Sequence, residues 1–183
     1  MSNYTRDAKI KKGGRLGRHR LPFAPWIITL ITLITTAVCL GGCRDAPTAD
    51  ELVRAALDEC HSRPAGILYT TAAEPGATDL LDAEMLAGLF GDGDRLPDVL
   101  DKINSATVFL PTRGGAFEIA VIEVASSADT AEVARLCLER TDQVAALSGI
   151  GRAEREVFIC GRYVISLLCP DCERVRDAVI AAM

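Results

Sequence analysis

An uncharged stretch near the start of the chain decides which part of the sequence can fold as a domain. No charged residue occurs between Leu21 and Cys43. A helix rises about 1.5 Å per residue, so the apolar residues 26–40 would reach about 22 Å, short of the roughly 30 Å of a bilayer core. Seven basic residues and one acidic residue precede this stretch, a net charge of +6. A basic segment followed by a short apolar run is typical of a secretory signal.

The uncharged stretch ends in Leu40-Gly41-Gly42-Cys43. These residues resemble the bacterial lipobox, in which a cysteine is diacylated through its sulfur before the leader ahead of it is removed. We predict that residues 1–42 are a lipoprotein signal peptide that is removed, that Cys43 is the lipidation site and that residues 43–49 are a tether. Two acyl chains would hold the protein firmly in a bilayer. An uncleaved signal anchor stays open as the alternative, and both place the protein at a bacterial cell membrane, facing outside the cytoplasm.

The rest of the chain is strongly acidic. After the leader there are 13 basic and 24 acidic residues, a net charge of −11. Such a charge repels phosphate backbones and anionic lipid head groups, which argues against nucleic-acid binding and against adhesion through a basic patch. With 183 residues, of which 49% are hydrophobic, the chain can bury the core of one globular domain, which we place at residues 50–183.

The periodicity of apolar residues predicts an α+β fold. Helices are expected at residues 49–61, where Thr48 or Asp50 could cap the first turn, and at 80–90 and 97–104, with a short extended piece at 66–70. Then follow a hairpin (106–110 and 116–124), a long helix (129–147), a second hairpin (156–160 and 163–168) and a last helix (171–182). We therefore predict a single domain with an antiparallel sheet of about four strands, in the order hairpin-helix-hairpin-helix, with helices on one face and short helices before it.

Two segments support a family resemblance. FEIAVIEVASSADTAEVARLCLERTDQVAAL and GRYVISLLCPDCERVRDAVIAAM resemble the extracytoplasmic lipoproteins grouped as domain of unknown function 4358, over roughly residues 50–182. The matching positions are Glu123, Arg140, Gln143, Gly161, Tyr163 and Val164. That family has no established activity, so the resemblance implies a fold and a location and leaves the chemistry open.

The motif CPDC, Cys169 to Cys172, is the strongest candidate for chemistry. It lies where a predicted strand gives way to a helix, and a thiol at a helix start is stabilised as a thiolate and can exchange disulfides. In that interpretation Cys169 is the nucleophile and Cys172 the resolving thiol. In the other, both are buried structural thiols or form a local disulfide. A solvent-facing Cys169 would favour the first interpretation, and burial would count decisively against it.

The remaining cysteines point to packing. Three of them fall on predicted apolar helix faces, where a free cysteine behaves as a small hydrophobe: Cys60, Cys137 and Cys172. Outside the cytoplasm these residues, Cys160 and Cys169 could also pair, and an odd number leaves at least one thiol free. The sequence does not settle the pairing.

No pattern in the sequence predicts a metal or a cofactor. Only one C-x-x-C occurs, so a zinc site completed by His61 lacks its second pair, and Asp92, Asp94 and Asp98 lack the later ligands of a calcium loop. A single histidine after the leader and the lack of a phosphate-binding loop leave no hydrolytic set. The sequence favours a non-catalytic binding or interaction domain, anchored in the bilayer through Cys43, whose further partner is an unspecified protein or small molecule. Thiol-disulfide exchange by Cys169 and Cys172 is the alternative.

Overall fold

The structure, a computed structural model, describes residues 46–91, 97–148 and 154–183. The predicted signal peptide and Cys43 lie outside these residues. The described residues form one compact unit. Its elements are, in chain order, α1 (Ala49–Glu59), β1 (Gly66–Thr70), α2 (Ala83–Phe90), a 3-10 helix (Asp98–Lys102), β2 (Ile103–Pro111), β3 (Glu118–Val124), a 3-10 turn (Ser127–Asp129), α3 (Thr130–Leu147), β4 (Arg155–Cys160), β5 (Tyr163–Leu168) and α4 (Cys172–Ala182).

The two predicted hairpins are confirmed and provide four strands of one antiparallel sheet. The order of strands is β1-β2-β3-β5-β4. In the first hairpin Val108 lies opposite Ala120, and β3 joins the second hairpin through Val121 opposite Ile165. Gly161 has φ +60° in the tight turn between β4 and β5, a backbone conformation that glycine adopts without strain. The predicted α+β fold with an antiparallel sheet is therefore correct.

The sheet has five strands, one more than the predicted count of about four. The additional strand is β1, at the position of the predicted extended piece, and it pairs with β2 along its whole length. Gly66 permits the close approach, because a Cβ atom there would collide with the ring of Phe109 and the carbonyl oxygen of Leu110. The strand therefore forms one edge of the sheet.

Helices cover both faces of the sheet, so the prediction of helices on one face is wrong. Alternate residues of β3 point to opposite sides: Ile119 and Val121 pack with α1 and α4, whereas Ala120 and Ile122 pack with α2 and α3. We call the first side the α1 face and the second the α3 face. The physical reason is that β3 is apolar at successive positions, and a strand that is hydrophobic on both sides must be covered on both sides.

The predicted helix at residues 97–104 is shorter than expected. Pro97 precedes a 3-10 helix that ends at Lys102, and Ile103 already belongs to β2. Ile103 lies opposite Val124 of β3, so cross-strand pairing determines its conformation.

Caps define the starts of the two helices that precede β2. At α1 the Thr48 hydroxyl accepts from the backbone N–H of Glu51, whose carboxylate accepts from the Thr48 N–H, as the sequence predicted for Thr48. The Asp82 carboxylate caps α2 by accepting from the N–H of Met85. Within the described ranges, no helix is both long enough and apolar enough to cross a bilayer.

Candidate functional site

A cleft of about 540 Å³ opens on the α1 face, between the start of α1 and the sheet. One wall is the segment that enters α1, and the floor comes from β1, β2, β3 and β5. The lining residues are Ala46, Pro47, Thr48, Ala49, Asp50, Thr70, Ala72, Ser105, Thr107, Glu123 and Tyr163. The volume is within the range of small-molecule sites, which runs from about 300 to 1,000 Å³.

Tyr163 fixes the wall of the cleft to its floor. Its hydroxyl donates to the carbonyl oxygen of Pro47 at 2.6 Å. Burial, reinforced by the charge of Glu123, raises the pKa of Tyr163, so this hydroxyl stays protonated and remains a donor. The capping box of Thr48 then sets the direction in which α1 leaves the wall. The cleft is therefore shaped before any ligand enters.

Hydroxyl groups from neighbouring strands line the floor. The Thr107 hydroxyl donates to that of Thr70 at 3.1 Å, and Thr107 is fully buried. The Ser105 hydroxyl donates to Glu123 at 3.0 Å, and Arg162 donates to the other oxygen of this carboxylate at 2.8 Å. The protons of the Thr107 and Ser105 hydroxyls are used within the protein, so these oxygens can accept a hydrogen bond from a polar part of a small ligand.

The charged groups that line the cleft are both carboxylates. Asp50 pairs with the exposed Arg54 at 2.7 Å, and Glu123 pairs with Arg162. No lysine or arginine lines the described part of the cleft. A neutral or cationic ligand therefore suits this lining better than an anionic one, which would find no cationic side chain among the described lining residues.

The predicted redox residues belong to a separate group of three buried sulfurs, which we call the thiol cluster: Cys60, Cys169 and Cys172. Cys169 and Cys172 lie with their Sγ atoms 3.7 Å apart. Cys169 is 1% exposed and Cys172 5% exposed. CPDC therefore lies at the predicted helix start, but its first sulfur does not face solvent.

Cys169 is the thiol between the other two. Hydrogen bonds to Cys172 and to Cys60, with burial, raise the pKa of Cys169. The hydrogen bond to Cys169 in turn lowers the pKa of Cys60 and of Cys172. Of the three thiols, Cys169 therefore holds its proton most strongly.

The start of α4 is capped by Glu154, the residue that precedes β4. Asp171 has φ +61° and makes no side-chain cap, and the Glu154 carboxylate accepts from the N–H of Cys172 at 3.2 Å instead. The Cys172 thiol donates to the carbonyl oxygen of Glu154 at 3.3 Å and to that of Cys169 at 3.2 Å. These bonds hold the thiol cluster against the beginning of β4.

The other two described cysteines are not members of the thiol cluster, although Cys160 packs against the same α1-face core. Cys137 is fully buried on the α3 face, where burial and the charge of Glu118 raise its pKa to about 12. Cys160 is half-buried at the end of β4. None of the five cysteines in the described ranges forms a disulfide. The prediction that Cys60, Cys137 and Cys172 pack in the core agrees with their burial.

The positions that carry the family resemblance fall in different places. Glu123 and Tyr163 face each other across β3 and β5 and both line the cleft. Arg140, on α3, pairs with Glu118 at 2.9 Å, and the Glu118 side chain is only 3% exposed. Gly161 forms the β4–β5 turn. The two remaining matching positions are Gln143, which is exposed, and Val164, which is buried.

Several residues considered from sequence do not form a site. His61 contacts Arg174 at the surface, and Asp98 begins the 3-10 helix. Asp92 and Asp94 lie outside the described residues. In the part of the chain that the structure describes, no group of three or more His, Cys, Asp or Glu side chains is placed to hold a metal ion.

The hydroxyls of the cleft were not singled out from sequence. Ser105 and Thr107 alternate with apolar residues along β2, which is the one local signal that they share a face. Thr70 and Tyr163 come from other strands, and only the pairing of the strands brings them together.

Comparison of the chain with family models, with curated proteins and with solved structures gave no match, so the resemblance to domain of unknown function 4358 stays a prediction.

Proposed function

We propose that this protein is a lipid-anchored, non-catalytic binding domain on the outer side of a bacterial cell membrane, and that it takes a small ligand into the cleft. The observation that carries the binding proposal is the cleft itself, preformed by the bond from Tyr163 to Pro47 and lined by hydroxyls and a carboxylate. The basic leader and Leu40-Gly41-Gly42-Cys43 support the anchor and the location. The wall of the cleft begins at Ala46, three residues after Cys43 in the sequence.

The chemistry of the lining defines the class of ligand. Alanines, Pro47 and threonine methyl groups offer apolar contact, while the hydroxyls of Ser105 and Tyr163 offer hydrogen bonds. Glu123 adds a negative charge that is only partly neutralised by the half-exposed Arg162. The ligand we propose is small, partly apolar, and neutral or positively charged.

Ligand-observed NMR on the full chain in detergent tests this proposal. The probes are matched aromatic fragments that carry an amine, an amide or a carboxylate. Ala72 is exposed at the rim, so Ala72→Trp should block the cleft without disturbing the core, and Ala131→Trp, at an exposed site on α3, is the matched control.

We expect saturation transfer to the amine or amide fragments with the wild type and with Ala131→Trp, and its loss with Ala72→Trp. Saturation transfer to the carboxylate fragment alone, or equal transfer with both tryptophan variants, would refute binding in the cleft.

Mass spectrometry of the intact protein extracted from membranes tests the anchor. A diacylglyceryl species that begins at Cys43 is expected, and Cys43→Ser should stop processing. Cys39→Ser is the matched control, because it removes a thiol from the same uncharged stretch and should leave processing unchanged. A soluble product without lipid from the wild-type gene would contradict the proposal.

Thiol-disulfide exchange is a second candidate function, favoured by the separation of 3.7 Å between the Cys169 and Cys172 sulfurs at the start of α4. The burial of Cys169 opposes it, because the disulfide of a protein substrate must reach the attacking sulfur, and a protein is too large to enter a buried cluster. An insulin-reduction assay separates the two candidates. Reduction that is lost in Cys169→Ser would support exchange, and a rate equal to the background would exclude it.

A further inference from the structure

Cys169 shares a buried cluster with thiols from two different elements. Cys172 follows it by one turn at the start of α4, with the sulfurs 3.7 Å apart. Cys60 is the C-cap residue of α1, at the other end of the described chain. All three side chains are part of the same buried cluster on the α1 face.

Arg174 holds the two elements together at this point. Its guanidinium, on the first turn of α4, donates to the carbonyl oxygen of Glu59 at 2.5 Å and contacts the ring of His61. It also donates to Asp171 at 3.4 Å. Cys60 lies between Glu59 and His61 in sequence, so these bonds keep it against the loop that carries Cys169. The position of Cys60 is therefore fixed by the packing of α1 on α4.

We propose that Cys169 is the fixed half of a single disulfide whose other half alternates between Cys60 and Cys172. To form it, two thiols lose two protons and two electrons, and an external small-molecule disulfide takes up both and becomes two thiols. To exchange it, the third sulfur attacks Cys169 as a thiolate, a new S–S bond forms, and the displaced sulfur leaves as a thiolate. The exchange consumes no oxidant.

The two forms would constrain the domain differently. A bond between Cys169 and Cys172 closes a loop of one turn, whereas a bond between Cys169 and Cys60 ties the end of α1 to the last helix and closes a loop that spans most of the domain. A longer closed loop restricts the unfolded chain more. The first turn of α1 lines the cleft, so the second form also fixes the helix on which the cleft is built.

Peptide mapping after oxidation tests the proposal. The full chain in detergent, at low concentration, is oxidised with cystamine. This reagent is cationic, which suits a groove beside the cluster that is lined by four carboxylates and Arg174. Trypsin leaves Cys169 and Cys172 on one peptide, residues 163–174, and Cys60 on another. A bond between the first two lowers the mass of that peptide by two hydrogen atoms, and a bond to Cys60 joins two peptides.

The wild type should give both products. Cys60→Ser should give only the bond within the peptide, Cys172→Ser only the joined peptides, and Cys169→Ser neither, with Cys169→Ala as a second variant in case the serine impairs folding. Cys137→Ser and Cys160→Ser are the matched controls and should resemble the wild type. One pair alone in the wild type, a bond between Cys60 and Cys172 in the Cys169 variants, a bond that includes Cys137 or Cys160, or no disulfide at all would each overturn the proposal.

Discussion

The two faces of the sheet differ in how they treat polar groups. On the α3 face, Glu118 is buried and paired with Arg140, and Cys137 has only burial and the nearby carboxylate to set its pKa. On the α1 face, polar groups gather at both ends of α1, as the hydroxyl-lined cleft at its start and the thiol cluster at its end. The polar groups of the α3 face are thus enclosed in the core, whereas those of the α1 face form a cleft and a group of neighbouring thiols.

This difference shows that burial alone does not decide what a side chain can do. Cys137 and Cys169 are almost equally inaccessible, at 0% and 1% exposure. Only burial and the charge of Glu118 shift the pKa of Cys137, whereas Cys169 contacts the Cys172 sulfur at 3.7 Å and shares its cluster with Cys60. The neighbours of a buried group therefore distinguish packing from potential reactivity.

The largest loss of stability is expected when the buried ion pair between Glu118 and Arg140 on the α3 face is broken. Arg140→Met leaves the Glu118 carboxylate buried without its partner, which should lower the free energy of unfolding by about 3–5 kcal/mol. Urea unfolding of the full chain in detergent measures this loss. Arg135→Met, which removes an exposed pair with Glu139 on the same helix, should cost less than about 1 kcal/mol. Equal losses in the two variants would show that Glu118 is not enclosed as described.

A second test asks whether the two faces are packed equally well. Ile119 lies on the α1 face and Ile122 on the α3 face, and both are fully buried in β3. Each change to alanine should cost about 2–4 kcal/mol because it leaves a cavity in a close-packed core. Chemical denaturation compares the two losses. A loss well under about 1 kcal/mol on one side alone would mean that this face relaxes around the cavity.

Because Cys137 is buried beside Glu118, we predict that the free energy of unfolding depends on pH in the alkaline range. An unfolded thiol loses its proton near pH 9, while the native Cys137 keeps its proton until about pH 12. The unfolded state then binds fewer protons between these values, so the free energy of unfolding falls as pH rises. Cys137→Ala should remove about 1.4 kcal/mol per pH unit from that slope. Stability measured from pH 9 to pH 10.5 gives the slopes, and identical slopes in the two proteins would contradict the assignment.

The smallest effect concerns the caps of one helix on each face. Thr48→Ala at α1 and Asp82→Ala at α2 should each cost about 1 kcal/mol, because each leaves a helix N–H without its acceptor. Thermal unfolding followed by circular dichroism measures both. Thr48→Ala should also weaken fragment binding in the cleft, while Asp82→Ala should not. Weakened binding in both variants would remove the special role given to the start of α1.

Local patterns in the sequence were enough to predict most of the elements. The Thr48 cap, the two hairpins and the α3 and α4 helices depend on residues close together in the chain, and they were found in place. The predicted fold has helices on one face only, because it treats β3 as a strand with one buried face. A run such as Ile119 to Ile122, apolar at every position, already requires two.

The candidate sites could not be assembled from the sequence. The cleft takes its hydroxyls from β1, β2 and β5, whose pairing depends on contacts between distant parts of the chain. The thiol cluster likewise needs α1 to pack on α4, so Cys60 was assigned to the core without its link to Cys169. The burial of Glu118 is a tertiary property too, since an acidic residue at the start of a strand is more commonly exposed.

Hydrogen–deuterium exchange of the full chain with the strongest-binding fragment tests the central claim, that the α1 face carries the ligand site. The account predicts that exchange slows in residues 46–52, at the wall of the cleft and the first turn of α1, and is unchanged in α3. Slower exchange in α3 with no change at residues 46–52 would contradict it.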